Sequence, residues 1–464
     1  MIALSRNFDP AERREIRMRA IFEAGKLDPR TFDEDTLAPC ALRIAPSAWS
    51  TLAYLAERSW RELRAAEDAL LGERRRWRAL GIPAKSRAIL AATPPPSERD
   101  VRFSRFDFHW TRDGWRASEI NADVPGGFIE AGAVTRIVAE VLPGFECLPD
   151  PTRELARAVS ARLAGQSDAG VALVHATSYT DDQQVMRRIG AELAAFGLRS
   201  HLASPVHLEA EGAGARARLV RGNRAPAPID ALVRFFPGEW LANLSRADRA
   251  RWAALPRGLV RSNPLAALLI QGKRLPVVLR ELGIATPTWD SVLPATRAVG
   301  LRALAPRLVR DDEVLKPIWG RVGDGVAIEG VTPLKEWRRS RILARVFPKA
   351  WVLQRRFESQ PLVDASGEPF HACIGVYVID GRAAGAYARI ARRPLIDGYA
   401  RDAAVLVDRA LDTSDAALPE LAVPTSPSRD RARGSQSPRG VSPAAALAAS
   451  AHTAIPNEVH HASH

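Results

Sequence analysis

The sequence predicts a mixed α/β (α+β) protein, and three patterns carry that reading. An amphipathic helical stretch lies near the start, a strand–turn–strand unit follows over 105–121, and strands then alternate with helical segments from Val171 to Phe235. Alternation of the last kind marks a parallel sheet covered by helices.

Residues 10–90 read mainly as helix, most clearly over 47–79, where apolar residues recur at spacings of three and four. Pro94, Pro95 and Pro96 end that region. Arg105-Phe106-Asp107-Phe108 and Ser118-Glu119-Ile120-Asn121 both alternate as strands do, and Thr111-Arg112-Asp113-Gly114 between them is a turn with Asp-Gly at its tip. A hairpin there sets Asp107 beside Glu119 and Asn121, with Arg105 on the same face as Asp107. Residues 127–142 continue as helix.

Val171–His175, Leu198–Leu202 and Ala231–Phe235 read as strands, with a helix from Asp181 to Phe196, whereas the Gly/Ala/Arg/Pro-rich stretch 210–229 reads as a loop. Ser262-Asn263-Pro264 reads as the opening of a helix that carries Lys273, since proline fits a first turn. Glu313–Ile318 is a strand delivering Lys316 to a loop with Gly320, Gly323 and Gly325. Residues 351–357, 371–379 and 383–390 are further strands. The expected organisation is one folded region over 1–408 and a disordered Ser/Pro/Arg/Ala-rich tail over 409–464, closing on His460, His461 and His464. Such a tail has too little to bury to offset its ordering entropy.

Composition narrows the function classes. At 46% hydrophobic and 26% charged residues the chain reads as soluble and globular, without the run of 18 or more apolar residues of a membrane span. Cys40, Cys147 and Cys373 are widely separated, form no metal-ligand spacing, and suggest a reducing, cytoplasmic setting with structural thiols. The net charge of +13 is scattered arginine without a nucleic-acid motif, so neither nucleic acid nor membrane is expected as partner. It suits anionic small-molecule substrates.

Of the 66 basic residues only Lys26, Lys85, Lys273, Lys316, Lys335 and Lys349 are lysine. Lysine is a compact point charge suited to one phosphate oxygen, and Lys273 and Lys316 lie in apolar or glycine-rich surroundings. Asp107, Glu119 and Asn121 offer the hard oxygens that Mg²⁺ takes alongside water and substrate phosphates. The glycines after Lys316 let backbone N–H groups approach phosphates. Gln354, in Trp351-Val352-Leu353-Gln354, is placed to bond an adenine edge, with Leu353 against the ring. Together these point to a nucleoside triphosphate.

Several ordered motifs then resemble the glutathionylspermidine synthase family. They are Arg-Phe-Asp-Phe at 105–108, Glu-Ile-Asn-Ala-Asp at 119–123, and Phe-Phe-Pro-Gly-Glu-Trp-Leu at 235–241. Ser-Asn-Pro before Lys273, Lys-Pro-Ile-Trp-Gly-Arg-Val-Gly at 316–323, Val-Leu-Gln at 352–354 and the run Val378 to Arg389 follow. The resemblance implies an ATP-grasp-like fold with a pre-ATP-grasp β/α subdomain, circularly permuted because the Glu-x-Asn strand precedes both lysines. It implies that Asp107, Glu119 and Asn121 hold Mg²⁺, that Arg105 stabilises the transferring phosphoryl group, and that Lys273, Lys316 and loop 320–325 bind ATP phosphates. Gln354 would contact adenine and Arg389 would lie near the nucleotide. The implied activity is ATP-dependent carbon–nitrogen ligation of a carboxylate, such as a peptide or amino acid, with an amine through an acyl phosphate. The rival is a non-catalytic ATP-binding or interaction protein on the same fold. Two departures stand out: the N-terminal cysteine amidase domain of bifunctional members is not expected here, since neither its length nor its motif is found, and the family's Asp-Thr-Pro-Thr segment reads Asp123-Val124-Pro125-Gly126-Gly127.

Overall fold

The computed structural model describes residues 1–412 apart from 32–33, 165, 167–168, 212–215, 222–223, 301–302, 304, 306 and 321–322. Of the tail expected over 409–464, Arg409–Asp412 form a short 3-10 helix, and the rest, with its closing histidines, lies outside the described residues, as do Arg321 and Val322 of the glycine loop.

The long central sheet runs in the order Ile2–Leu4, Leu42–Ile44, Arg401–Val407, Arg382–Ala391, Pro369–Ile379, Phe103–Thr111 and Gly114–Asn121. Its pairs are antiparallel except Leu42–Ile44 with Arg401–Val407. The helix Pro46–Gly72 lies against it, burying Leu52, Leu55, Ala56, Leu63, Ala66 and Leu70 at the three-and-four spacing of an apolar stripe. Each such leucine contributes about 1.5–3 kcal/mol relative to exposure.

Val260–Ser262, Ala231–Arg234, Gly170–Val174 and Arg199–Ala203 form a wholly parallel sheet in that order. Val171 and Leu173 pack with Leu155 and Val159 of helix Pro151–Arg162 and with Ile189 and Leu193 of helix Thr180–Ala195. An antiparallel sheet orders Thr296–Ala298, Trp351–Arg355, Glu313–Pro317 and Ala327–Ile328. Helix Leu334–Val346 backs it through Trp337 and Ala344, which meet Leu315 and Leu353. Among the described residues no helix is long and apolar enough to cross a membrane.

Two expectations fail. The stretch 210–229 contains strands: Leu208–Glu211, Arg216–Arg221 and Arg224–Ile229 form an antiparallel sheet. Leu208, Ala217, Leu219 and Ile229 are buried in it. Its Pro226 and Pro228 are tolerated because that strand is an edge. Lys273 also sits on no helix. Helix Leu268–Gln271 stops at Gly272, which is extended (ψ 137°), and a second helix, Leu275–Leu282, begins three residues later with Pro276 in its first turn. Proline has no N–H to continue the earlier helix.

The hairpin is bolted to the rest of the fold by buried polar groups. Asn263 Nδ2 donates to the carbonyls of Phe103 (2.7 Å), Ala122 (3.0 Å) and Asp123 (3.1 Å), and its Oδ1 accepts from Phe103 N at 2.9 Å. Gln271 Oε1 accepts from Ala122 N (2.6 Å) and Asp123 N (2.9 Å). Asp123 pairs with the buried Arg234 and accepts from Gly238 N at 2.8 Å. Buried polar groups satisfied this fully fix one geometry.

Candidate active site

A cavity of about 820 Å³ opens among the hairpin, the ends of the parallel strands and the antiparallel sheet that carries Lys316 and Gln354. Arg105, Asp107, Glu119, Asn121, Lys273, Lys316, Gly320, Gly323, Gln354 and Arg389 all line it, whereas Gly325 does not. Gly325, at φ +68°, instead turns the chain beside Pro317.

The hairpin has the anticipated register, with Asp107 opposite Glu119 and Arg105 opposite Asn121. The turn is two residues, Arg112 and Asp113, between the paired Thr111 and Gly114. Arg105 grips Asp107 bidentately, Nε to Oδ1 at 2.6 Å and Nη2 to Oδ2 at 2.8 Å, and donates from Nη1 to the Gly126 carbonyl at 2.8 Å. The Tyr387 ring lies 5.3 Å from the guanidinium, and a Cβ on Gly375 would come within 2.7 Å of Arg105 Cδ. Burial opposes the charge on Arg105, but Asp107 outweighs it and holds the guanidinium protonated. Asn121 Nδ2 donates to Asp107 Oδ2 at 3.0 Å, which leaves its amide oxygen as the donor for a cation.

The two lysines converge on the same carboxylate. Lys273 Nζ is 2.9 Å from Glu119 Oε2 and donates to the Gly320 carbonyl at 2.9 Å. Lys316 Nζ donates to the Ser118 carbonyl at 3.2 Å. Burial works against the Glu119 carboxylate, yet Lys273 and Lys316 more than offset it and hold its pKa at about 2. Burial lowers Lys316 to about 8, with Glu119 opposing and Lys273 reinforcing that shift. Burial, reinforced by Lys316, likewise drives His109 down to about 3, so this imidazole is neutral where it meets Ser118 Oγ at 3.1 Å.

Gly323, at φ +72°, abuts the Ile396 carbonyl and Asp397 so closely that a side chain would collide with them. The glycine loop therefore touches the segment 394–398 that also lines the cavity. Gln354 is buried in the cavity wall, its Nε2 donating to Thr296 Oγ1 at 3.0 Å. Leu353 does not join it: neighbouring strand residues face opposite ways, and Leu353 packs in the core with Leu315 and Trp337. The apolar lining there is Val314, Ile328 and Leu395. Arg389 donates to the Asp397 carbonyl and approaches Asp402 at 3.9 Å. Cys373 also lines the cavity, and burial pushes its thiol well up, which makes it unreactive.

An acidic recess at the other end escaped the sequence reading. Asp28, Glu130, Asp181, Asp182 and Asp402 line it. Behind them Lys26, fully buried, places Nζ 2.5 Å from Glu130, 3.1 Å from Asp28 and 3.6 Å from Asp402. Burial lifts Asp402 to about 6, with Lys26 opposing and Glu130 adding to the rise. The available signal was the scarcity of lysine, which singled out Lys26 as much as Lys273.

Among the described residues no group of three or more His, Cys, Asp or Glu side chains could hold a metal. The hairpin set of two carboxylates and one amide nonetheless fits Mg²⁺, which usually takes one or two carboxylates and completes its shell with water and phosphate.

Comparisons with known proteins identify the family and the fold. The glutathionylspermidine synthase pre-ATP-grasp family model matches residues 61–408. A glutathione synthetase-like effector from Globodera pallida, in its apo form, superposes with a TM-score of 0.58 at 11% identity, over 86% of this chain and 98% of that one. A protein described as a gamma-glutamylcysteine synthetase from Methylobacillus flagellatus KT aligns at 12% identity over 73% and 82% of the two chains, with a TM-score of 0.34. No curated protein matches the sequence. The fold is mixed α/β and ATP-grasp-like. The chain belongs to the glutathionylspermidine synthase pre-ATP-grasp family.

Proposed function

We propose that the protein is an ATP- and Mg²⁺-dependent carboxylate–amine ligase, its ligase region spanning 1–408. The observation that carries this reading is convergence. Arg105, Asp107, Glu119 and Asn121 of one hairpin meet Lys273 from an interhelical break and Lys316 from a separate sheet around one cavity. Phosphoryl transfer needs positioning and charge neutralisation rather than a protein nucleophile, and the cavity offers that.

In the reaction, a carboxylate oxygen of the acid attacks the γ-phosphorus of ATP, the bond to the bridging oxygen breaks, and ADP leaves. The amine nitrogen then attacks the acyl carbon, the bond to phosphate breaks, and the amine proton passes to solvent or a recess carboxylate. Lys273, Lys316 and the loop at Gly320 and Gly323 hold the triphosphate, and Gln354 with Val314, Ile328 and Leu395 holds the base. Arg105 faces the charge that develops on the moving phosphoryl group. Asp107, Glu119 and Asn121 would hold Mg²⁺, which would neutralise the phosphate oxygens. The acidic recess attracts a cationic amine, and Arg389 ties it to the segment 394–398.

ADP and phosphate release with Mg²⁺, screened over pooled acids against pooled amines, tests this. Release that requires one acid and one amine together supports the ligase. Tight ATP binding without turnover in any pool supports the non-catalytic reading instead.

A further inference from the structure

The cavity wall next to Arg105 restricts the acid that can be activated. The segment Val124–Gly127 is one of the surfaces at the guanidinium, beside Asp107 and Tyr387, since Arg105 Nη1 donates to the Gly126 carbonyl at 2.8 Å. An acid whose carboxylate lies beside Arg105 has this segment as a neighbour. Asp123 is fixed to Arg234 and to Gly238 N, which carries Val124 alongside the 234–238 segment. The wall beyond is Val124, Val185, Phe235, Tyr179 and Trp240. The Tyr179 and Trp240 rings stand 5.4 Å apart at 47° and form a shelf, and Tyr179 is 46% exposed.

None of these five residues carries a charge. The cations among the described lining residues are Arg105, Lys273, Lys316, Arg355, Arg356 and Arg389; Arg105 is on the hairpin, and the ligase reading gives Lys273 and Lys316, with Arg355 and Arg356 beside Gln354, to the nucleotide. Arg389 is engaged by Asp402 and by the Asp397 carbonyl. Asp181 and Asp182, just after Tyr179, would repel a further carboxylate. Gly127 can supply no hydroxyl, since a Cβ there would meet Tyr387 Cζ at 2.5 Å. Among the described residues of this wall a second anionic group on the acid thus finds no counter-charge, while an apolar or flat body finds a matching surface.

We propose that the acid substrate is a monocarboxylate with an apolar or aromatic body, seated against Val124, Phe235, Tyr179 and Trp240 with its carboxylate beside Arg105. This rests on the ligase reading and deepens it.

Hydroxylamine in place of the amine makes the test independent of the amine's identity. Its nitrogen attacks the acyl phosphate, phosphate leaves, and a hydroxamate accumulates. The full-length protein with Mg²⁺ and ATP is given 3-phenylpropionate or octanoate, and in parallel glutathione or glutamate. The expected result is hydroxamate from the first pair. Tyr179→Ala is expected to raise KM for 3-phenylpropionate by about 10-fold or more, the scale of a lost apolar contact, without changing KM for ATP. Gly126→Ser, at a position where a Cβ meets nothing within 4 Å, adds a hydroxyl to the wall and is expected to lower preference for the apolar acids. Hydroxamate formed preferentially from glutathione or glutamate would overturn the proposal and leave the ligase reading standing. An unchanged acid KM in both variants would overturn it equally. ATP binding with no hydroxamate from either pair would overturn the ligase reading and this proposal together.

Discussion

The Glu119 carboxylate lies 2.9 Å from the Lys273 ammonium, joining the hairpin to the break between two short helices. The pair brings the candidate metal ligand and a candidate phosphate-binding cation into contact. Phosphates entering the cavity would take over Lys273 and leave Glu119 to the metal. Glu119→Gln, which keeps the shape but not the charge, is therefore expected to lower turnover by about 10²-fold or more. It should also move the half-saturating Mg²⁺ concentration upward in a metal titration of ADP release. Unchanged metal dependence would remove Glu119 from the ligand set.

Arg105 tests transition-state stabilisation separately from binding. Lysine at this position retains a positive charge but cannot reproduce the bidentate grip on Asp107 together with the Gly126 bond. Arg105→Lys is expected to cut kcat by about 10³-fold, the scale of a lost arginine in phosphoryl transfer, with KM for ATP within a few-fold of the original. Steady-state kinetics at saturating acid and amine would check this.

Lys316 gives the pH dependence a sign. In the free protein it is protonated below about pH 8 and neutral above. A neutral amine neutralises no phosphate, so ATP affinity is expected to hold up to about pH 8 and then fall, and calorimetric titration at stepped pH would record it. Folding stability moves the other way. The unfolded lysine keeps its proton to about its ordinary 10.5, so between the two values the unfolded chain binds more protons and stability rises with pH. Lys316→Arg should flatten both trends.

Gly323 couples the glycine loop to the segment 394–398. With φ at +72° and the Ile396 carbonyl where a Cβ would lie, Gly323→Ala carries backbone strain of about 1–2 kcal/mol plus a steric clash. KM for ATP is expected to rise several-fold, with a melting temperature lowered by a few degrees, about 2–4 °C per kcal/mol or less in a chain this long. Differential scanning fluorimetry with and without ATP separates the two effects.

Lys26 sits in the acidic recess as a buried counter-ion for Glu130, Asp28 and Asp402. Lys26→Met leaves those carboxylates uncompensated and is expected to destabilise the fold by about 3–5 kcal/mol in denaturant unfolding. Glu130→Leu in the same chain should recover part of the loss. Asp402 adds a second signature: its carboxyl protonates as pH falls through about 6, so KM for a cationic amine should climb below that point.

Much of the site was legible because its chemistry is local. Asp107, Glu119 and Asn121 are brought together by one hairpin, in which a β-bulge next to Asp107 shifts the register so that Glu119 rather than Ser118 stands opposite it. Lys316 was equally plain, as a lone lysine on an apolar strand before glycines. Lys273 does line the cavity but was wrongly set on a helix, because Pro264 outweighed the Gly272 and Pro276 that flank the break. Leu353 was assigned to the wrong face although the period-two rule already excluded it. The recess was illegible for a different reason. Lys26, Glu130, Asp181 and Asp402 come from four distant segments, and only the tertiary packing of strand Arg401–Val407 beside the helical turn Glu130–Val134 unites them. The strands over 208–229 were hidden by composition, since arginine, glycine and proline mask the alternation of Leu208, Ala217, Leu219 and Ile229.

The most direct test of the ligase reading follows an oxygen atom. An accepted acid labelled with ¹⁸O in its carboxylate is turned over with Mg²⁺, ATP and hydroxylamine, and the released phosphate is analysed by mass spectrometry. Activation through an acyl phosphate predicts one ¹⁸O per phosphate, carried over when the C–O bond breaks. Phosphate released without the label would mean that water, not the carboxylate, attacks ATP, and would contradict the ligase assignment.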